Sequence, residues 1–353
     1  MKKRKENAKE FVTLGEIYHE AKRNLRKEVW DYFAGGADSE TTLRRNQEAM
    51  AHFEFRPRVL RGLRDIDIST TFLGLPISLP IMIAPIASLY LIDKQGDLAM
   101  AKAAARVKTI HWLTTRTAQT PESVAKSLNT SLIFQLFWRG DNKWCRNLVR
   151  RIEDLGFKAL AITVDTPMYG RRERDLENRF NHRTIPRGID VPMNRAIREL
   201  TLAWKDVAWL RRITRLPLII KGIQCQEDAR LAIEHGVDCV YVSNHGGRQL
   251  DYAAPTIEIL AEIVDTVGGK AEVIVDGGFQ RGTDVLKALA FGAKAICIGK
   301  AAAWGLAVGG EEGVVRTLEL FGIELKTAMA NVGVGKIADI TPKLVRKACI
   351  YRL

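Results

Sequence analysis

The chain has no apolar run long enough to cross a bilayer, and no hydrophobic stretch near its start of the kind a signal peptide carries. Its opening residues, MKKRKENAKE, are charged instead and are expected to fray. Cysteine is scarce: Cys145, Cys225, Cys239, Cys297 and Cys349 are the 5 in 353 residues, and no two form a CxxC pair. An odd count without paired spacing argues against a disulfide framework and for reduced, mostly buried thiols in a cytoplasmic protein. No Cys/His cluster has ligand spacing, so no metal site is expected, zinc in particular. There is no low-complexity segment and no linker that would split the chain. Blocks of like charge are absent too. The net charge is +13, from 54 basic and 41 acidic residues, but it is scattered and reads as solvated surface. Neither a nucleic-acid partner nor a membrane span is expected.

What is present is a repeat. From about residue 80 onward, short runs rich in Val, Ile and Leu end in polar residues. They are PIMIAP, IHWLTTR, LIFQLF, ALAITVD, LPLIIKG, CVYVSNHGG, EVIVDGG and AICIGK. None alternates cleanly, so each reads as a strand buried on both faces, as in a parallel sheet. Between them lie amphipathic stretches such as DNKWCRNLVRRIEDLG and TIEILAEIVDTVG, several with Asp, Thr or Pro near their starts and Gly at their ends. Eight such units predict an α/β fold, a closed (β/α)8 TIM barrel, with a doubly wound open sheet as the alternative. A single domain over 1–353 is expected. Residues 1–79 form an N-terminal helical and hairpin segment, 80–325 the barrel, and 326–353 a C-terminal helical segment. FRPRVL and TTFLGLPISLP read as extended, with a hairpin capping the barrel floor. The stretch from Arg171 to Leu200 is the longest without clear periodicity. It follows the fourth strand, where long loops serve as lids or binding loops.

In such a barrel the chemistry sits at the C-terminal ends of the strands. Reading those ends in order yields Ala84-Pro85, Thr114-Thr115-Arg116, Gln135 and Phe137, Thr163 and Asp165, Lys221, Ser243 to Arg248, Asp276-Gly277-Gly278, and Gly299-Lys300. A base, acids, cations and hydroxyls would face one point. Glycines after the last two strands suit backbone binding of a phosphate, so a phosphorylated cofactor is expected. Taken alone, a Gly-Gly pair also suits a tight turn.

The stretch SNHGGRQLD, with YFAGGADSETTLRRN, FRPRVL, IMIAP, FQLF, GFKALAITVDTP, GRRERD, WKDVAWL and RGTDVLKALAFGA, resembles the FMN-dependent 2-hydroxy acid oxidases and dehydrogenases over nearly the whole chain. The resemblance implies FMN as cofactor and oxidation of an (S)-2-hydroxy acid to the 2-oxo acid. The electron acceptor could be oxygen, a quinone or a protein, the assembly a homotetramer, and no fused heme domain is expected. It implies that His245 is the base, Asp165 orients it, Arg248 and the mobile Arg172 hold the substrate carboxylate, and Tyr32 hydrogen-bonds the substrate. Arg171 is expected to be solvated. For the flavin it implies Lys221 near the anionic edge of the ring. Pro85, Ile86 and Ala87 would lie behind it, and Thr114, Gln135 and Thr163 on its polar edge. Ser243 and Asp276 would serve the ribityl chain, and Gly277, Gly278 and Gly299 the phosphate.

Four positions depart from the family pattern. Phe137 stands where tyrosine is usual, Arg116 where tryptophan is often found, and Gln280 and Lys300 where arginines hold the phosphate. The phosphate is therefore expected to be held more weakly, with Lys300 and Arg281 compensating in part. Phe137 and Arg116 together point to a substrate other than glycolate or lactate. An extra anionic group would pair with Arg116 for about 1–3 kcal/mol if desolvated; alternatively Arg116 faces solvent. Two further readings stay open: an FMN-dependent oxidase of an amine or modified peptide, and a barrel scaffold that has lost FMN.

Overall fold

Each apolar run read as a strand is one in the computed structural model, which describes residues 7–126, 131–181, 185–191 and 199–348. Three short strands come first, β1 (Phe53–Phe55), β2 (Thr70–Phe72) and β3 (Leu75–Ile77). The barrel follows with β4 (Ile81–Ile83), β5 (His111–Thr114), β6 (Leu132–Leu136), β7 (Ala159–Thr163), β8 (Leu218–Ile223), β9 (Cys239–Val242), β10 (Glu272–Val275) and β11 (Ala295–Ile298). These eight pair in sequence order, all parallel, and β11 closes on β4. Closure excludes the open sheet.

Residues Met82, Trp112, Ile133, Ala161, Ile219, Tyr241, Ile274 and Cys297, one per strand, fill the interior as a single cluster. Their neighbours, such as Ile83, Leu113, Phe134, Ile162 and Val242, point outward under the helices. Both faces are dry, which is why the runs lack alternation. The helices begin and end as their sequences suggest. Asp141 caps the helix Asn142–Asp154 by accepting from the Trp144 N–H at 2.8 Å, and Gly268 ends Thr256–Val267 in the left-handed conformation.

The expected floor hairpin is formed by β2 and β3, which pair antiparallel through a Leu73-Gly74 turn with both φ values positive. Phe72 enters the barrel floor, 6.3 Å from Trp112, and Trp112 meets Tyr241 edge-on at 5.3 Å. The rest of FRPRVL is irregular beyond Phe55, which ends β1. The C-terminal segment differs from expectation. The last helix, Lys300–Val332, bends at Gly309 and Gly310, and beyond it come two 3-10 turns and β12 (Val345–Lys347). Gly333, in the left-handed conformation, ends the helix, and β12 then pairs antiparallel with β1. Cys349, the first six residues, and parts of the 171–200 loop (182–184 and 192–198) lie outside the described residues. Among those described, no helix is long and apolar enough to cross a membrane and no acidic, His or Cys cluster suits a metal.

The N-terminal segment is bolted to the barrel mouth. Asp251 accepts from the Thr42 N–H and the Ser39 hydroxyl, both at 2.7 Å, and Asn46 and Asn244 exchange amide hydrogen bonds at 2.9 Å. Burial pushes the Asp251 carboxyl up, but those donors prevail and hold it at about 2, below its ordinary 3.8. A depressed carboxyl contributes stability above pH 3.8 that is lost as pH falls through about 2. Asp251→Asn is expected to cost roughly 1–3 kcal/mol at neutral pH and less near pH 2, read by denaturant titration at both. Phe72→Ala, which empties the floor, is expected to cost about 3–5 kcal/mol by the same method.

Candidate active site

The upper ends of the strands surround one cavity of about 1250 Å³, formed jointly with the N-terminal helices and the 171–200 loop. Its wall holds Tyr32, Pro85, Ile86, Ala87, Arg116, Phe137, Arg172, Lys221, His245 and Arg248, together with Asp276 to Arg281, Gly299 and Lys300. Asp165, Thr114, Gln135, Thr163 and Ser243 stand behind it.

His245 follows β9 with φ of +58, a left-handed conformation unusual for a residue with a side chain. Two features hold it there. Its backbone N–H donates to the Ser243 hydroxyl at 3.1 Å, and its Nδ1 lies 3.1 and 3.2 Å from the two Asp165 oxygens. A carboxylate only accepts, so Nδ1 carries the hydrogen and the lone pair is on Nε2. Burial lowers the proton affinity of His245, and the charges of Lys221 and Arg172 add to this against the pull of Asp165. The imidazole is thus neutral at ordinary pH. Burial would raise the Asp165 carboxyl, but His245 and Lys221 overrule it and keep it ionised.

Gly247 is the position in this loop that cannot carry a side chain. Its φ is +75, and a Cβ there would lie 2.5 Å from the Leu43 nitrogen. The N-terminal segment packs onto the loop at this point, with the Ala37 N–H donating to the Gly247 carbonyl at 2.8 Å.

Arg248 is aimed by backbone. Its Nη1 donates to the carbonyls of Phe33 (3.2 Å) and Gly35 (2.8 Å), at the C-terminal end of the helix Lys27–Ala34. Those carbonyls have no partner within the helix and bear its negative dipole end. Arg172 is only 6% exposed and sits beside it. The guanidiniums lie 5.3 Å (Arg248) and 5.9 Å (Arg172) from the Tyr32 ring centre. Burial and the charge of Arg248 push Arg172 down to about 10. Two adjacent cations, one buried and one half-buried, are a receptor for an anion. Tyr32 is buried, with its hydroxyl donating to Ser88 at 3.2 Å.

Lys221 is a buried cation too, 3% exposed toward the end of β8. Its Nζ donates to Ser243 at 2.8 Å and lies 3.7 Å from Asp276. Ser243 donates onward to Asp276 at 2.7 Å, and Tyr241 donates to the same carboxylate from inside the barrel at 2.9 Å. Ser243 is therefore fully engaged within the wall. Thr114, Gln135 and Thr163 form a second chain: Thr114 donates to Gln135, and Gln135 to Thr163, each at 2.6 Å.

At the far end, Gly299 and Lys300 start the long helix, whose opening residues line the cavity and whose first N–H groups have no partner within the helix. Lys300 donates to the Gly246 carbonyl at 3.4 Å, and burial and Arg248 push its ammonium well below the ordinary lysine range. Gly278 is required by packing as well: a Cβ there would lie 2.1 Å from the Asn46 carbonyl oxygen. Arg281 differs from expectation. Its guanidinium is 60% exposed and takes both oxygens of Glu324, at 2.9 and 3.0 Å, so Lys300 carries this end of the cavity. Arg171 is exposed and paired with Glu173 at 2.9 Å.

Sequence reasoning missed Tyr169, whose ring lies 4.1 Å from the Arg172 guanidinium and whose hydroxyl it also meets. It missed Asp175, a buried carboxylate near Arg172 and Arg248 that has no hydrogen-bond partner among the described residues and is pushed up by burial. Their spacing, three residues either side of Arg172, was the available signal. Ser88, Arg139 and Arg187 were missed as well.

Three comparisons bear on this arrangement. The family model described as FMN-dependent dehydrogenase matches residues 21–347. A 2-hydroxyacid oxidase of Dictyostelium discoideum is 40% identical over 352 residues, 95% of this chain and 90% of that one. Glycolate oxidase 1 of Zea mays is 43% identical over 351 residues, 95% of each. Among solved structures, a Tyr-to-Phe mutant of mandelate oxidase with (S)-mandelic acid superposes with a TM-score of 0.90 at 38% identity, covering 96% of this chain and 98% of that one. With the sequence match running through every element that builds the cavity, the chain belongs to the FMN-dependent dehydrogenase family.

Proposed function

We propose that this protein oxidises an (S)-2-hydroxy acid to the 2-oxo acid, using FMN. The observation that carries the reading is the placement of a neutral, carboxylate-oriented histidine in one cavity with two adjacent arginines, Arg172 buried and Arg248 half-buried. The relatives named as 2-hydroxyacid, glycolate and mandelate oxidases support it.

The cavity suits FMN on structural grounds. Lys300 and the first N–H groups of its helix would hold the phosphate, with Gly299 leaving them open. Asp276 would meet the ribityl hydroxyls, Pro85 to Ala87 would back the ring, and Lys221 would face its anionic edge. Gln280 lies near the phosphate end without a charge, and Thr114, Gln135, Thr163 and Ser243 would act from behind by fixing the wall. When bound, FMN supplies a two-electron acceptor for the substrate α-hydrogen.

The protein's own groups do the rest. Arg248 and Arg172 clamp the carboxylate, and Tyr32 hydrogen-bonds beside it. His245 Nε2 takes the proton of the 2-hydroxyl as the C–H bond breaks and the carbonyl forms, and Asp165 stabilises the resulting imidazolium. Phe137 contributes a buried apolar wall without a hydroxyl. Oxygen is the acceptor that the relatives' oxidase names support, and a homotetramer is the assembly expected from the sequence resemblance, to be read by sedimentation.

His245→Gln is expected to slow flavin reduction by about 10²–10⁴-fold while leaving the flavin spectrum in place. In the unaltered protein, the base must be neutral to work, so the reduction rate falls as pH drops through the His245 pKa. That acid limb is expected below 6.5, the ordinary imidazole value. A limb above it, or no effect of the substitution, would refute the assignment. Lys300→Met is expected to weaken FMN binding by roughly 10- to 100-fold, read by flavin fluorescence.

A further inference from the structure

The cavity carries more positive charge than FMN and one carboxylate account for. Among the described residues, eleven Lys or Arg side chains line it, against two carboxylates, Glu40 and Asp276. Glu40 is paired with Arg174, and Asp276 lies beside Lys221. Arg281 is held by Glu324, Lys300 faces the phosphate end, and Arg248 and Arg172 form the carboxylate clamp.

Three of the other arginines, Arg116, Arg139 and Arg187, share one sector of the rim, and the backbone shows why. Arg116 and Arg187 flank a single hydrogen bond, from the Gly188 N–H to the Thr117 carbonyl at 3.0 Å, which seats the 171–200 loop on the turn after β5. Phe137 is tied to the same turn, its N–H donating to the Thr115 hydroxyl at 3.0 Å. Arg139 then reaches back, with its guanidinium 5.9 Å from the Phe137 ring centre. The Arg116 side chain makes no hydrogen bond or ion pair among the described residues, whereas Arg139 and Arg187 each have partners of their own.

We propose that the substrate is a 2-hydroxy acid with a second carboxylate at its far end, received by Arg116 with Arg139 and Arg187. The carbon chain between the two carboxylates would lie along Phe137, whose ring offers apolar contact and no competing hydroxyl. A guanidinium presents paired donors that match a carboxylate, and the surplus of cations would also draw a dianion into the cavity. This inference rests on the 2-hydroxy acid reading and specifies its substrate class.

The test compares the holoprotein with Arg116→Gln and Arg116→Lys. The substrates are the diacids (S)-malate and (S)-2-hydroxyglutarate, and the monoacids (S)-lactate and (S)-2-hydroxybutyrate. Flavin bleaching without oxygen gives the efficiency for each acid, and perturbation of the oxidised flavin spectrum gives the affinity for 2-oxoglutarate. At least one diacid is expected to exceed the monoacids by roughly tenfold or more, a ratio that falls toward one in Arg116→Gln and is partly kept in Arg116→Lys. Affinity for 2-oxoglutarate is expected to fall in parallel in Arg116→Gln, with flavin content unchanged. Monoacids that reduce the flavin as well as both diacids do, or a ratio untouched by Arg116→Gln, would overturn the inference alone. Flavin that none of the four acids reduces would overturn the underlying 2-hydroxy acid reading, and this inference with it.

Discussion

The structure turns on a lysine ammonium carried to the end of a buried strand. Lys221 lies within the barrel wall, where an isolated charge is costly, and it is tolerated because Ser243 and Asp276 meet it. Asp276 is held in turn by Tyr241, which stands among the interior side chains that fill the barrel. One network therefore joins the ends of β8, β9 and β10 to the core. The same Ser243 hydroxyl fixes the His245 backbone in its left-handed conformation, and Asp165, two residues past the end of β7, fixes its ring. Loss of that network would loosen both the cofactor wall and the base.

Around this rigid floor the N-terminal segment acts as part of the site. It supplies Tyr32 and the two carbonyls that aim Arg248, and it is anchored through Asp251 and Asn244. The two arginines that result are close and like-charged, one buried and one half-buried, so an anion placed between them is favoured. That is the physical basis for recognising a carboxylate. The further cations at Arg116, Arg139 and Arg187 extend the same logic outward along the rim.

The barrel was legible because strands buried on both faces leave dense apolar runs, and because their polar ends fall at regular intervals. The base, its orienting carboxylate and the lysine were legible for the same reason: each ends a strand. What the sequence hid depends on contacts between distant segments. Backbone carbonyls such as those of Phe33 and Gly35 have no side-chain signature. The pairing of Arg281 with Glu324 joins residues 43 apart, and it removes a cation that local reading assigned to the phosphate. The need for glycine at Gly278 comes from Asn46, far upstream, as well as from any ligand. Strand β12 is three residues long and exists through its pairing with β1, so the C-terminus read as helix.

The central claim is that His245, Arg248 and Arg172 converge on the hydroxyl and carboxylate of one substrate beside FMN. Anaerobic titration of the FMN-loaded protein with enantiopure 2-hydroxy acids tests it most directly, following flavin absorbance and 2-oxo acid together. The account predicts one 2-oxo acid formed per flavin reduced, with the (S) enantiomer and not with its carboxamide. Reduction by the carboxamide as readily as by the acid, or no reduction by any (S)-2-hydroxy acid, would contradict it.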